Sequence, residues 1–127
     1  MAKTALITGA SSGIGREIAR DLYARGFRVI LSARREERLR ELAEELGDNT
    51  RVIVCDVSDR EECLRLYEET KSEKISVLVN CAGFGAVGSF DELPLDTELK
   101  MINTNVTAVH MLTKLFLKDF VAADRGY

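Results

Sequence analysis

The sequence has 127 residues, 46% of them hydrophobic, with 18 basic and 21 acidic side chains and a formal net charge of −3. This suits one domain with an ordinary core, and the interspersed charges offer no electrostatic footprint for nucleic acid or an acidic membrane surface. Three cysteines without C-x-x-C spacing argue against a disulfide framework or a metal site, and no apolar run approaches the roughly 18 residues of a membrane span.

The first predicted strand covers Thr4–Thr8, with Ala5, Leu6 and Ile7 as its apolar run. It stops at Thr8-Gly9, and glycines recur at Gly9, Gly13 and Gly15. Ile14, Ile18, Ala19 and Leu22 then predict a helix over Gly13–Arg25, ended by Gly26. Phe27–Ser32 reads as a second strand. Arg35–Leu46 reads as a helix with Leu39, Leu42, Ala43 and Leu46 on one face, and Arg51–Cys55 as a short third strand. Ser58 or Asp59 caps a helix carrying Cys63, Leu66, Tyr67 and Thr70 inward. Ser76–Val79 is the fourth strand, followed by the loop Asn80–Gly88. A last helix runs from near Asp96 to about Ala122, with Ile102, Val106, Val109, Thr113, Phe116 and Phe120 as its apolar stripe. Cys55 and Cys81 read as small buried hydrophobes.

Strands alternating with helices imply right-handed βαβ units and an α/β fold. The expected architecture is a Rossmann-type parallel sheet in the order 3-2-1-4 with helices on both faces, one domain over residues 1–127. Ligands of such sheets bind where the winding direction reverses, at the carboxyl ends of strands one and four. Gly9–Gly15 and Asn80–Gly88 are the two loops at that place.

Strand, glycine turn and helix together make a phosphate cradle. The glycines let the backbone approach an anion, and the new helix presents its free N–H groups and the positive end of its dipole. Gly13-Ile14-Gly15-Arg16 lacks the lysine of a Walker loop, which argues against a nucleoside triphosphate hydrolase. Thr8-Gly9-x3-Gly13-x-Gly15 instead resembles the T-G-x3-G-x-G of the short-chain dehydrogenase/reductase family. On that resemblance Gly9, Ser11, Ser12, Gly13, Ile14 and Gly15 form the cofactor cradle.

Four further stretches are similar to that family's pattern. At the end of strand two, an acidic residue would select NAD through the ribose hydroxyls. Ala33-Arg34-Arg35 suits a 2′-phosphate instead, which favours NADP(H) over NAD(H). Asp56-Val57 resembles the acidic position that meets the adenine ring, although a plain cap or turn role for Asp56 is the competing reading. Asn80-Cys81-Ala82-Gly83 resembles N-N-A-G, with Asn80 implied as a sheet brace and Ala82-Gly83 against the cofactor ribose. Met101-Ile-Asn-Thr-Asn105-Val-Thr-Ala108 resembles the segment around the catalytic asparagine. Asn105 fits that place better than Asn103, with a role in a proton relay; a backbone-bridging role is its alternative.

The same resemblance implies a hydride-transferring oxidoreductase acting on a carbonyl or secondary alcohol. The family's serine and Tyr-x-x-x-Lys are not in this sequence. Tyr67-Glu-Glu-Thr-Lys71 has the spacing but falls at the opposite edge of the predicted sheet, and His110 reads as a packed or helix-surface residue rather than a general base. The expectation is therefore the cofactor-binding half of such an enzyme, ending before strand five and inactive alone. The alternatives are a stand-alone nucleotide-binding module or an interaction protein with a vestigial site. The expected partners are a nicotinamide dinucleotide and a second copy, through the last helix or an exposed edge at strand four. A cytoplasmic location is expected.

Overall fold

The computed structural model describes residues 3–127. In chain order the elements are β1 (Thr4–Thr8), α1 (Gly13–Ala24), β2 (Arg28–Ala33), α2 (Glu36–Leu46), β3 (Thr50–Val54) and α3 (Arg60–Thr70). A short 3₁₀ turn at Lys71–Glu73 leads into β4 (Ile75–Val79). The chain then forms α4 (Leu95–Ile102), a π turn (Asn103–Thr107) and α5 (Ala108–Ala123). All pairings are parallel and the order is β3-β2-β1-β4.

The sheet is covered on both faces, and strand alternation decides which residue meets which layer. Leu6 and Ile30 pack with Leu66, Leu112 and Phe116 from α3 and α5. Ala5, Ile7, Val29 and Leu31 pack with Ala19, Leu39 and Leu42 from α1 and α2. Every residue of β1 is buried, as befits a central parallel strand. Of the two expected caps for α3, Asp59 is the one used: its Oδ1 accepts the Glu61 N–H at 2.9 Å.

The last helical region differs from the expectation in two ways. It is not one helix, because the π turn interrupts it between α4 and α5. Its inward face is Thr104, Ala108, Leu112 and Phe116, whereas Ile102, Val106 and Thr113 are exposed. The physical reason is that this segment is apolar on two sides, so periodicity alone does not choose between them. The π turn then holds Thr104 and Ala108, four residues apart, on the side that meets the sheet.

The edge of β4 also departs from the bare edge expected. The Tyr127 N–H donates to the Ser76 carbonyl at 2.9 Å, and the Leu78 N–H donates to the Tyr127 carbonyl at 2.8 Å. That pattern is a parallel bridge, so part of the edge is already paired.

Candidate functional site

The sheet reverses its winding between β1 and β4, and a crevice of about 580 Å³ opens at the carboxyl ends of the strands there. Its lining includes Gly9, Ser11, Ser12, Gly13, Ile14, Gly15, Arg34, Arg35, Asp56, Val57, Asn80, Ala82 and Gly83. Sequence-distant loops thus meet at one place, and the volume lies within the range of small-ligand sites.

Gly9 turns the chain out of β1 at φ 62°, and a Cβ there would collide with the Cys81 carbonyl. The loop after β1 and the loop after β4 are therefore in backbone contact. Thr8 joins them: its Oγ1 accepts the Cys81 N–H at 3.2 Å and the Ala82 N–H at 3.3 Å, and donates to the Val79 carbonyl at 3.3 Å.

Helix α1 opens at Gly13, φ 57°, where a side chain would meet nothing within 4 Å. Its N-cap residue Ser12 makes no side-chain capping bond, and the first turn holds no acidic residue. The free N–H groups and dipole of this 12-residue helix are available to an anion in the crevice. By contrast α3 has its own aspartate cap.

Arg34 and Arg35 are exposed on the rim, just ahead of α2. Across from them the Asp56 Oδ1 accepts from the Ser58 N–H at 3.0 Å and the Ser58 hydroxyl at 2.7 Å. Burial pushes the Asp56 carboxyl up, but these two bonds and the charges of Arg34 and Lys100 outweigh it, leaving the group below its usual value. Asp56 therefore does hold a turn, with its second oxygen outside that turn. Asn80 Nδ2 donates to Thr113 Oγ1 at 3.2 Å, tying the end of β4 to α5.

Asn105 does not line the crevice; it stands behind its wall. Its Nδ2 donates to the Phe84 carbonyl at 2.7 Å, and its Oδ1 accepts the Phe84 N–H at 3.0 Å. The backbone-bridging alternative is thus what its side chain does. Cys55 and Cys63 are buried, whereas Cys81 is only half-buried, contrary to the buried role expected; Cys55 and Cys81 both border the crevice.

Tyr67 is far from this geometry. Its hydroxyl donates to Asp119 Oδ2 at 2.7 Å between α3 and α5, and that bond, with burial second, pushes it up to about 12. Lys71 pairs with Glu68 at 2.7 Å, and neither Tyr67 nor Lys71 borders the crevice. His110 is exposed on α5. Thr8, Ser32, Ala33, Cys55, Cys81, Phe84 and Thr104 also line the crevice without having been singled out as site residues. Thr8 had a visible signal, as the first residue of the glycine signature. Ser32 and Thr104 lie within stretches that resemble the family's pattern, but neither had a role of its own there.

Residues 3–127 match the model of the short chain dehydrogenase family. The chain belongs to the short-chain dehydrogenase family. It is 39% identical to an uncharacterised oxidoreductase of Staphylococcus saprophyticus over 98% of this chain and 56% of that protein. It is 37% identical to the 3-oxoacyl-acyl-carrier-protein reductase FabG of Rickettsia prowazekii over 98% of this chain and 51% of that one. Among solved structures, a short-chain dehydrogenase from Sphingobium yanoikuyae in complex with NADPH superposes with a TM-score of 0.92. That match has 30% identity and covers 98% of this chain and 50% of that one. This short-chain dehydrogenase chain therefore spans about half the length of the relatives it matches.

Proposed function

We propose that the chain is the cofactor-binding half of an NADP(H)-dependent short-chain oxidoreductase, one that reduces a carbonyl or oxidises a secondary alcohol. One observation carries this reading. The uncapped amino end of α1 and the exposed pair Arg34 and Arg35 border the same crevice at the switch point of the sheet. The NADPH held by the S. yanoikuyae relative supports the same cofactor class.

When bound, the nicotinamide supplies the hydride. The chain's own residues bind and orient. The N–H groups of the loop from Gly9 to Gly15 hold the pyrophosphate. Arg34 and Arg35 grip the 2′-phosphate through charge-assisted hydrogen bonds. Asp56 accepts from the adenine amine with the oxygen its turn leaves free, and Val57 packs beside the ring. Ala82 and Gly83 lie along a ribose, with Asn80 bracing the strand end below them. Asn105, assigned to the catalytic relay by resemblance, fixes Gly83 and Phe84 against the crevice through its carboxamide.

Of the catalytic set implied by the resemblance, the 127 residues include Asn105 alone, so binding without turnover is the behaviour proposed for this chain. A second reading, a nucleotide-binding module without catalysis of its own, is favoured by the same observation. The two differ in whether a longer coding sequence adds a serine and a Tyr-x-x-x-Lys. We also propose a cytoplasmic location and self-association. Leu99, Ile102, Val106, Leu117 and Val121 are exposed apolar side chains on α4, the π turn and α5 that a second copy would cover, and sedimentation shows a dimer or larger species if it does.

Titrating the purified chain with NADPH and NADH tests the cofactor assignment. NADPH is expected to bind roughly tenfold or more tightly than NADH, and Arg34→Ala with Arg35→Ala is expected to erase that preference. Equal affinities in the unaltered chain would overturn it.

A further inference from the structure

Ser32 sits at the carboxyl end of β2 with its side chain out of reach of solvent. The residue is 1% exposed and its Oγ has no hydrogen-bond partner. Its backbone is fully engaged: it lies in register with Thr8 and Ile53, and its carbonyl accepts the Ala10 N–H at 3.2 Å. Packing alone gives no reason for the hydroxyl, because a buried hydroxyl without a partner is a net cost and alanine would fill the strand without it.

Strand alternation tells which side the hydroxyl takes. Leu31 belongs to the layer under α1 and α2, and Ile30 to the layer under α3 and α5. Ser32 follows Ile30, on the side where Cys55 and Val57 are packed. Ser32 also borders the crevice, together with Asp56, Ala82 and Thr104. An unpartnered, fully buried hydroxyl thus sits at the floor of the crevice, below the rim where Arg34 and Arg35 are exposed.

We propose that the Ser32 hydroxyl recognises the nucleoside of the bound dinucleotide, donating a hydrogen bond to an acceptor on its ribose or base. The inference rests on the dinucleotide reading above. The phosphates have their own donors elsewhere: the pyrophosphate at the amino end of α1, which packs on the opposite face of the sheet, and the 2′-phosphate at the arginines of the rim. A doubly charged phosphate at the buried floor would also lose solvation that the rim preserves. The contact is therefore common to every ligand carrying the nucleoside, and it contributes affinity without choosing between NADP(H) and NAD(H).

The test is to titrate the full 127-residue chain and its Ser32→Ala variant with NADPH, NADH and 5′-AMP. All three ligands are expected to weaken by the same factor, about threefold to tenfold for one lost hydrogen bond. The ligand-free melting temperature is expected to stay level or rise, since the variant removes an unpartnered group. Ser32→Cys, which fills the space left by the hydroxyl and weakens the donor, is expected to lose affinity in the same uniform way and guards against a cavity artefact. Unchanged affinity for all three in Ser32→Ala would overturn the proposal, as would a loss confined to NADPH. If the unaltered chain binds none of the three, the dinucleotide reading itself fails, an outcome distinct from equal binding by chain and variant.

Discussion

Asn105 holds the backbone of Phe84 at both ends, with Nδ2 donating to the carbonyl at 2.7 Å and Oδ1 accepting the N–H at 3.0 Å. This clamp fixes the loop after β4 to the π turn between α4 and α5. It also explains Gly83, where an added Cβ would come within 2.9 Å of Asn105 Oδ1. Asn105→Ala removes both bonds, and because the position is exposed the Phe84 groups regain water. The expected loss is about 1–2 kcal/mol of stability, read by denaturant unfolding, with weaker cofactor binding from the loosened wall. Unchanged stability would show that the clamp contributes nothing.

Gly9 makes a different demand. Its φ of 62° and its contact with the Cys81 carbonyl leave no room for a side chain. Gly9→Ala should cost roughly 1–3 kcal/mol through strain and displacement of the loop. Gly13 shares the positive φ but faces open space, so Gly13→Ala is expected to cost less stability while still obstructing the crevice. Equal stability losses in the two variants would contradict this difference.

The Asp56 carboxyl lies below its ordinary value in the folded chain because Ser58, Arg34 and Lys100 outweigh the opposing effect of burial. A depressed carboxyl contributes stability that is present above its unfolded value, about 3.9, and lost as pH falls through the folded value. Asp56→Asn should flatten the acid limb of the stability profile below about pH 4. Tyr67 works in the other direction. Raised to about 12 by its bond to Asp119, it contributes stability that is full below its ordinary value, near 10, and lost as pH rises toward 12. Tyr67→Phe should remove that alkaline limb. Acid and alkaline profiles unchanged in these variants would contradict both assignments.

The three thiols should differ in reactivity. Burial pushes Cys55 up to about 12 and Cys63 up to about 11, and both side chains are closed to solvent. Burial raises Cys81 as well, yet it is half-exposed at the crevice. Mass spectrometry after limited iodoacetamide treatment should therefore find Cys81 modified first, and NADPH should slow that modification. Modification of Cys55 ahead of Cys81, or no protection by NADPH, would contradict the placement of the cofactor.

Much of this was legible in the sequence because the signals were local. The apolar runs of β1, β2 and β4, the glycines ending α1 and α2, and the glycine loop each act within a few residues. With the chain returning beside β1 after β3, right-handed crossovers put α1 and α2 on one face and α3 on the other. What could not be read depended on packing between distant segments. Ile102, Val106 and Thr113 face outward because the segment from α4 to α5 is apolar on two sides and the π turn decides which one meets the sheet. Likewise, the engagement of the Asn105 carboxamide by Phe84 and the orphaned hydroxyl of Ser32 depend on which loops and faces lie opposite them. No spacing rule reports that.

The proposed nicotinamide dinucleotide occupies the crevice between the loops after β1 and β4. Amide chemical-shift mapping of the isotope-labelled chain during titration with NADPH tests this placement most directly. Saturable shifts are expected, concentrated at Gly9, Gly13, Ile14, Gly15, Arg34, Val57 and Gly83. Shifts centred instead on α4 and α5, or no saturable shifts at all, would contradict that placement.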